Sequence, residues 1–326
     1  MRAAIVNVQR HFDVVDLADP TPGAGELVLK VDACGICGSD LKAYGAMPPG
    51  TVLGHEFCGE IVAVGSGGAG DWREGQMVAA MPLFACGACH WCLADEPAHC
   101  EKVDYQGVGG SAGAFAEYVR VDAASAVALA DGIDQFGALV EPLAVGRHTV
   151  AASRLREGGR VLVIGGGNVG AAVAVWASRL GASDVIVSDP VAARRDTAAS
   201  FGATGVHDPT TEPLPSGFEV VVECSGVPGM VQTAVDAAGV RGHVVIAGVC
   251  VVPDQIVPVI AIMKEIDVSF AVYYRGSEFA AAAELLASGA LDAGAYVSRR
   301  VGLDGLDGAF QTLLSTNTER KILVTP

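Results

Sequence analysis

The segment GRVLVIGGGNVGAAVAVWASRLGASDVIVSDP, residues 159–190, restricts the fold more than any other part of the chain. VLVI is an apolar run of strand length. Gly165, Gly167 and Gly170 follow it as GxGxxG, and an apolar helical pattern then runs to Gly181, a residue suited to end a helix. The next apolar run, DVIVSD, reaches Asp189 nineteen residues beyond Gly170. Strand, glycines, helix, strand and terminal acid at this offset form the dinucleotide-binding fingerprint of a Rossmann unit. Gly165 permits the tight turn, Gly167 lets the backbone approach a pyrophosphate at the helix N-terminus, and Gly170 lets the helix sit close on the strand. Asn168 and Val169 lie between the last two glycines and join the candidate cofactor-binding set. Asp189 is placed to accept hydrogen bonds from ribose hydroxyls and would repel a 2′-phosphate, so NAD is favoured over NADP. Arg194 and Arg195, five and six residues on, read as solvated helix residues, although either would blunt that preference if it turned back toward the ribose.

Further alternation follows, with strand FEVVVEC, a helix after Pro228, then strands HVVIAG and IDVSFAV. This is an α/β pattern, a doubly wound parallel sheet with right-handed crossovers. The length of 326 residues leaves room for about one more domain. Half the residues are hydrophobic, yet no run approaches the roughly 18 uncharged apolar residues of a membrane span. The opening MRAAIVNVQRHFD lacks the long apolar run and cleavage site of a secretory signal, so a cytoplasmic location is expected. A formal net charge of −16 disfavours nucleic acid and anionic membranes as partners.

Residues 1–145 read differently. Short apolar runs alternate with turn signals such as Pro20, Pro22, Gly23 and Gly25, which describes a compact β-rich lobe. Cys37 follows a strand predicted over 27–33, and His55 precedes another, FCGEIVAVG. Strand ends feeding loops place such side chains at the rim of a sheet. Cys86, Cys89, Cys92 and Cys100 lie two, two and seven residues apart in CGACHWCLADEPAHC. Four thiolates at that spacing can close a tetrahedral shell, the character of a structural zinc. Spacing alone also permits an iron–sulfur cluster or a nucleic-acid zinc module, but the surroundings are acidic. His90 and His99 are then bystanders.

CGICGSD followed by GHE closely resembles the zinc-dependent medium-chain alcohol dehydrogenase family, and EPLAV at 141–145 resembles its sorbitol, threonine and butanediol dehydrogenase branch. The resemblance covers essentially the whole chain. It implies a β-rich GroES-like catalytic domain of residues 1–145 and 281–326, and a Rossmann NAD-binding domain of residues 146–280. It also implies two zincs, a structural one on the four cysteines and a catalytic one on Cys37, His55 and Glu141. Glu56 lies near that metal as a supporting or exchangeable ligand, so that Glu141, Glu56 or water could complete the shell, and Cys58 is a less favoured rival ligand. Cys37 thiolate, neutral His55 and Glu141 carboxylate sum to the same −2 as two thiolates and an imidazole.

Ser39 would begin a proton relay. The family commonly has a His three residues further on, but this chain has Lys42, an ammonium that donates and does not accept. Water or Asp40 is left to carry the proton. Turns 224–226 and 247–249 resemble the family's nicotinamide-side loops, which adds Ser225, Gly226 and Gly248 to the cofactor set. Where sorbitol-type members carry Arg beside Tyr, this sequence has Tyr273 and Tyr274, which tilts the expected substrate toward a short diol or hydroxyketone. The implied activity is hydride transfer between NAD and a secondary alcohol, short diol or polyol, by a homo-oligomer, dimer or tetramer. Two rivals remain: a non-catalytic zinc- and NAD-binding redox sensor, which would lose the catalytic ligands, and a zinc-free NADPH-dependent reductase, which would lack Cys37 and His55.

Overall fold

The computed structural model describes residues 1–67, 70–315 and 318–326. The chain packs as two units, Met1–Glu141 with Arg275–Pro326, and Pro142–Tyr274. Its principal elements in chain order are β1 (Glu26–Gly35), α1 (Gly38–Ala43), β2 (Glu56–Val64), β3 (Met77–Ala80), β4 (Tyr118–Asp122), β5 (Ala126–Ala128) and α2 (Val140–Ala152). Then come β6 (Arg160–Ile164), α3 (Asn168–Arg179), β7 (Asp184–Ser188), β8 (Gly205–His207), β9 (Phe218–Glu223), α4 (Met230–Ala237), β10 (Ala238–Ile246), α5 (Pro258–Lys264) and β11 (Asp267–Phe270). The chain closes with α6 (Gly276–Ala287), β12 (Val297–Val301), α7 (Leu306–Ser315) and β13 (Lys321–Val324).

The first unit is built on a seven-stranded sheet of order β12-β13-β1-β2-β3-β5, with β4 paired to β1. The long strand β1 organises it. Leu27, Leu29 and Val31 alternate onto one face and enter a core with Phe57, Phe115 and Phe310. β1 runs antiparallel to β2 with Gly35 opposite Glu56, and antiparallel to β13 with Gly35 opposite Leu323. The end of β1 is therefore flanked by the start of β2 and by a strand from far down the chain.

The second unit is a six-stranded sheet of order β8-β7-β6-β9-β10-β11, with every adjacent pair parallel. A parallel sheet covered on both faces needs apolar residues at successive positions. Val161, Leu162, Val163 and Val220, Val221, Val222 are all buried, as that requires. The order reverses between β6 and β9, so the carboxyl ends of β6, β7, β9 and β10 surround a topological switch point.

Candidate active site and metal centres

Cys37 sits just before α1, where β1 has run out of sheet partners. His55 immediately precedes β2, after Gly54, whose φ of +101° favours glycine and whose added Cβ would press within 2.8 Å of Cys34 Sγ. Sheet pairing brings the two ends together. The Cys37 thiol, a His55 ring nitrogen and a Glu56 carboxylate oxygen lie within 4.8 Å of one another. Ser39 Oγ is 3.3 Å from His55 Nε2. Lys42 is exposed on the last turn of α1.

Asp40, only 1 % exposed, joins the two candidate ligands. Its Oδ2 accepts the Cys37 backbone N–H at 2.9 Å, and its Oδ1 lies 3.1 Å from His55 Nδ1. A carboxylate on the far nitrogen of a ligating imidazole fixes its tautomer and aim. Burial disfavours charge on His55, but Asp40 and Cys37 outweigh it and push the imidazole well above its ordinary pKa. The same negative surroundings attract a cation. Asp40 therefore orients the imidazole in addition to being a candidate proton carrier, and the sequence signal for that role is its place three residues into a helix that begins after the thiol.

A second residue went unforeseen. Lys321, at the start of β13, is completely buried and forms an ion pair with Glu56, itself 1 % exposed. Its ammonium also donates to the Ile36 carbonyl at 3.1 Å. Burial opposes the charge on Lys321, yet Glu56, Cys37 and Glu141 together raise its pKa above the ordinary lysine value. Gly35 makes room for the pair, because a Cβ there would fall 2.1 Å from Glu56 Oε2. Glu141 lies in the first turn of α2 and is buried, but the close group contains Glu56 and not Glu141. Cys58 is turned away, its buried thiol directed to the Asp134 carbonyl at 3.6 Å.

The four cysteine thiols of the 86–100 loop also lie within 4.8 Å of one another. Cys86 and Cys92 Sγ are 4.0 Å apart, and Cys89 and Cys92 Sγ 3.5 Å. A tetrahedral zinc with bonds of about 2.3 Å requires sulfur separations of roughly 3.8 Å. Backbone N–H groups of Cys92 and Glu101 lead in lowering the Cys89 thiol to about 6, while burial leads in raising Cys92 to about 12. The loop also does structural work, since Asp95 accepts the N–H groups of Gly276 and Ser277 at 2.9 and 3.0 Å and so caps α6. Glu96 pairs with Arg275 at 2.5 Å.

In the second unit, α3 opens at the fingerprint. Gly165 has φ of +98°, and a Cβ on Gly170 would fall 1.8 Å from the Gly165 carbonyl oxygen, so helix and turn meet at a distance only glycine allows. Asp189 directly follows β7 and is 1 % exposed, with Oδ2 accepting the Gly166 N–H at 2.7 Å and Oδ1 the Val191 N–H at 2.8 Å. Arg194 and Arg195, expected to be solvated, have side chains only 17 % exposed. Arg194 lies 3.3 Å from Asp189 Oδ2, and Arg195 donates to the Asp189 carbonyl at 2.7 Å and pairs with Asp208 at 2.6 Å. Ser225, Gly226 and Gly248 gather at the ends of β9 and β10.

Residues 23–131 match the model of the alcohol dehydrogenase GroES-like domain, and residues 168–288 that of the zinc-binding dehydrogenase domain. A 2-dehydro-3-deoxy-L-galactonate 5-dehydrogenase of Pseudoalteromonas atlantica is 34% identical over 97% of this chain and 96% of its own. The chain belongs to the zinc-dependent medium-chain alcohol dehydrogenase family. Another relative in this family, the (R,R)-butanediol dehydrogenase of Bacillus subtilis, is 30% identical over the full length of both chains. Among solved structures, a protein of the zinc-binding dehydrogenase type from Sinorhizobium meliloti 1021, bound to NADP, superposes with a TM-score of 0.91 at 32% identity, covering 100% of this chain and 99% of that one. The β-rich unit is thus the GroES-like fold of the medium-chain alcohol dehydrogenases, and the parallel sheet is their Rossmann fold. No helix among the described residues is long and apolar enough to cross a membrane.

Proposed function

We propose that the chain is a zinc-dependent dehydrogenase that transfers a hydride between NAD and a secondary alcohol, short diol or polyol. The grouping of Cys37, His55 and Glu56 carries this reading. A thiol and an imidazole beside a carboxylate suit a catalytic metal, which keeps a coordination position open for substrate. When bound, zinc would supply Lewis-acid polarisation of the substrate oxygen, and NAD the hydride acceptor. Cys37 and His55 are the residues to hold that zinc, with Glu141 as third ligand, because the Glu56 carboxylate is already engaged by Lys321. Asp40 keeps His55 aimed. The Ser39 hydroxyl, within reach of the imidazole, takes the substrate proton and passes it to water, since Lys42 is no acceptor. Cys86, Cys89, Cys92 and Cys100 hold a second, structural zinc.

Asp189 supports NAD over NADP, with Arg194 as the counterweight. Asp189→Gly should raise acceptance of NADP relative to NAD; an unchanged ratio removes Asp189 from that role. The exposed apolar residues on α5 and edge strand β11, among them Ile262, Met263 and Phe270 at 68, 77 and 76 % exposure, support a homo-oligomer. The functional test is an NAD⁺ reduction screen of the zinc-loaded protein over secondary alcohols, vicinal diols, polyols, hydroxy amino acids and sugar acids. Turnover of one class identifies the substrate. No reduction of NAD⁺ or NADP⁺ by any of them, with two zincs bound per chain, sinks the reading.

A further inference from the structure

Glu223 ends β9, near the middle of the parallel sheet, level with Ile164 of β6 and Ile246 of β10. It is 1 % exposed. Its Oε1 accepts from the backbone N–H and hydroxyl of Ser225 at 2.7 and 2.5 Å and from the Gly226 N–H at 2.9 Å, while Oε2 lies 3.2 Å from the same Gly226 nitrogen. These donors are all neutral, and no cationic side chain is ion-paired with it among the described residues. Its carbonyl holds the next strand end as well, accepting the N–H groups of Ala247 and Gly248 at 2.9 Å each.

Three strand ends converge on this carboxylate. A Cβ on Gly165 would come within 3.1 Å of the Ser225 nitrogen, and one on Gly248 within 2.4 Å of Glu223 Oε2 and 2.2 Å of the Gly226 nitrogen. The turn that Glu223 grips is thereby pressed against the first glycine of the fingerprint. In a sheet of order β7-β6-β9-β10, a dinucleotide with its adenosine ribose at Asp189 on β7 and its pyrophosphate at the α3 N-terminus extends its other half over β9 and β10. That half is the nicotinamide, which carries a positive charge when oxidised and none when reduced.

We propose that Glu223 is a positioning residue for the nicotinamide half of the cofactor, fixing the Ser225–Gly226 turn by its hydrogen bonds and weighting the site toward the oxidised form by its buried charge. This rests on the NAD-dependent reading above. A neutral acceptor would serve the turn at less desolvation cost than a buried anion, so the charge needs a further use. A fixed negative charge beside a ring that alternates between +1 and 0 supplies one.

The test is binding of NAD⁺, NADH and ADP-ribose to the zinc-loaded protein by calorimetry, wild type against Glu223→Gln. The amide keeps the shape and removes the charge. The expected result is NAD⁺ binding weakened roughly fivefold, with NADH and ADP-ribose changed less than about twofold. Equal weakening of NAD⁺ and NADH, or no change in either, overturns the proposal. Wild-type protein that binds none of the three overturns the cofactor assignment itself, and this proposal with it. If Glu223→Gln does not fold, Ser225→Ala keeps the charge and removes one contact to the turn. It should weaken NAD⁺ and NADH alike, by roughly two- to threefold, leaving ADP-ribose unaffected; unaltered affinities count against the positioning role.

Discussion

The two candidate metal centres of the first unit use cysteine in opposite ways. In the 86–100 loop, four thiols from one short segment face one another near the surface, with Cys86 exposed and Cys100 buried. In the other centre, one thiol meets an imidazole and a carboxylate drawn from separate strand ends, with His55 and Glu56 buried and a lysine from residue 321 closing the group. The first centre is made by local chain geometry and needs little from the sheet. The second exists only because β1, β2 and β13 lie side by side. A closed local shell suits a metal that holds structure, and a tertiary site with an unfilled shell suits one that meets substrate.

Substitution can break this contrast, and the largest effect should come at Cys37. Cys37→Ser is expected to lower kcat/KM by roughly a thousandfold or more, several kcal/mol of lost transition-state stabilisation, while NAD affinity stays unchanged. Steady-state kinetics with metal analysis would check it; retained turnover would show that the buried group is not the catalytic one. Next in size is Lys321→Met, which leaves Glu56 buried without its partner. A loss of roughly 3 kcal/mol in denaturant unfolding is expected, with much of it restored in the Glu56→Gln/Lys321→Met double variant. Additive losses would mean that the pair does not act as a unit.

Two smaller effects sharpen the picture of the loop. The Cys89 thiol titrates at about 6, below its ordinary value of 9.0. The stability its ionisation contributes to the metal-stripped loop is therefore complete above pH 9 and declines as the pH falls through 6. After chelation, iodoacetamide should label Cys89 with a half-maximal rate near pH 6, while Cys34 and Cys58, whose thiols burial pushes far up, stay unlabelled. A midpoint above pH 8 contradicts this. Asp95→Ala should cost about 1 kcal/mol as a lost helix cap, read as faster amide exchange in the first turn of α6. Unchanged exchange there would separate the loop from the helix.

What the sequence made legible follows the same division. Spacing within a segment is written in the chain, so the four cysteines, the fingerprint glycines and the alternation of the second unit were read directly, and the family resemblance supplied the pairing of Cys37 with His55. Partners that meet through sheet register leave no such mark. Nothing in RKILVTP distinguishes a lysine that will be fully buried from one that snorkels to water, and nothing near Glu56 announces its cation. Arg195 was misjudged for a related reason: its partner Asp208 arrives on a later strand end, whereas Arg194 turns back to the nearby Asp189. Glu223 was likewise silent, because the glycines that confine it belong to neighbouring strands.

The pairing of Glu56 with Lys321 spans 265 positions of sequence. Synthesis proceeds from the N-terminus, so the cysteine loop has all its donors in hand while more than half of the chain is still to be made. The buried centre has to wait for β13. Until β13 is made Glu56 is an acid without its counter-charge, and the order of manufacture separates the completion of the four-thiol loop from the closing of the buried group.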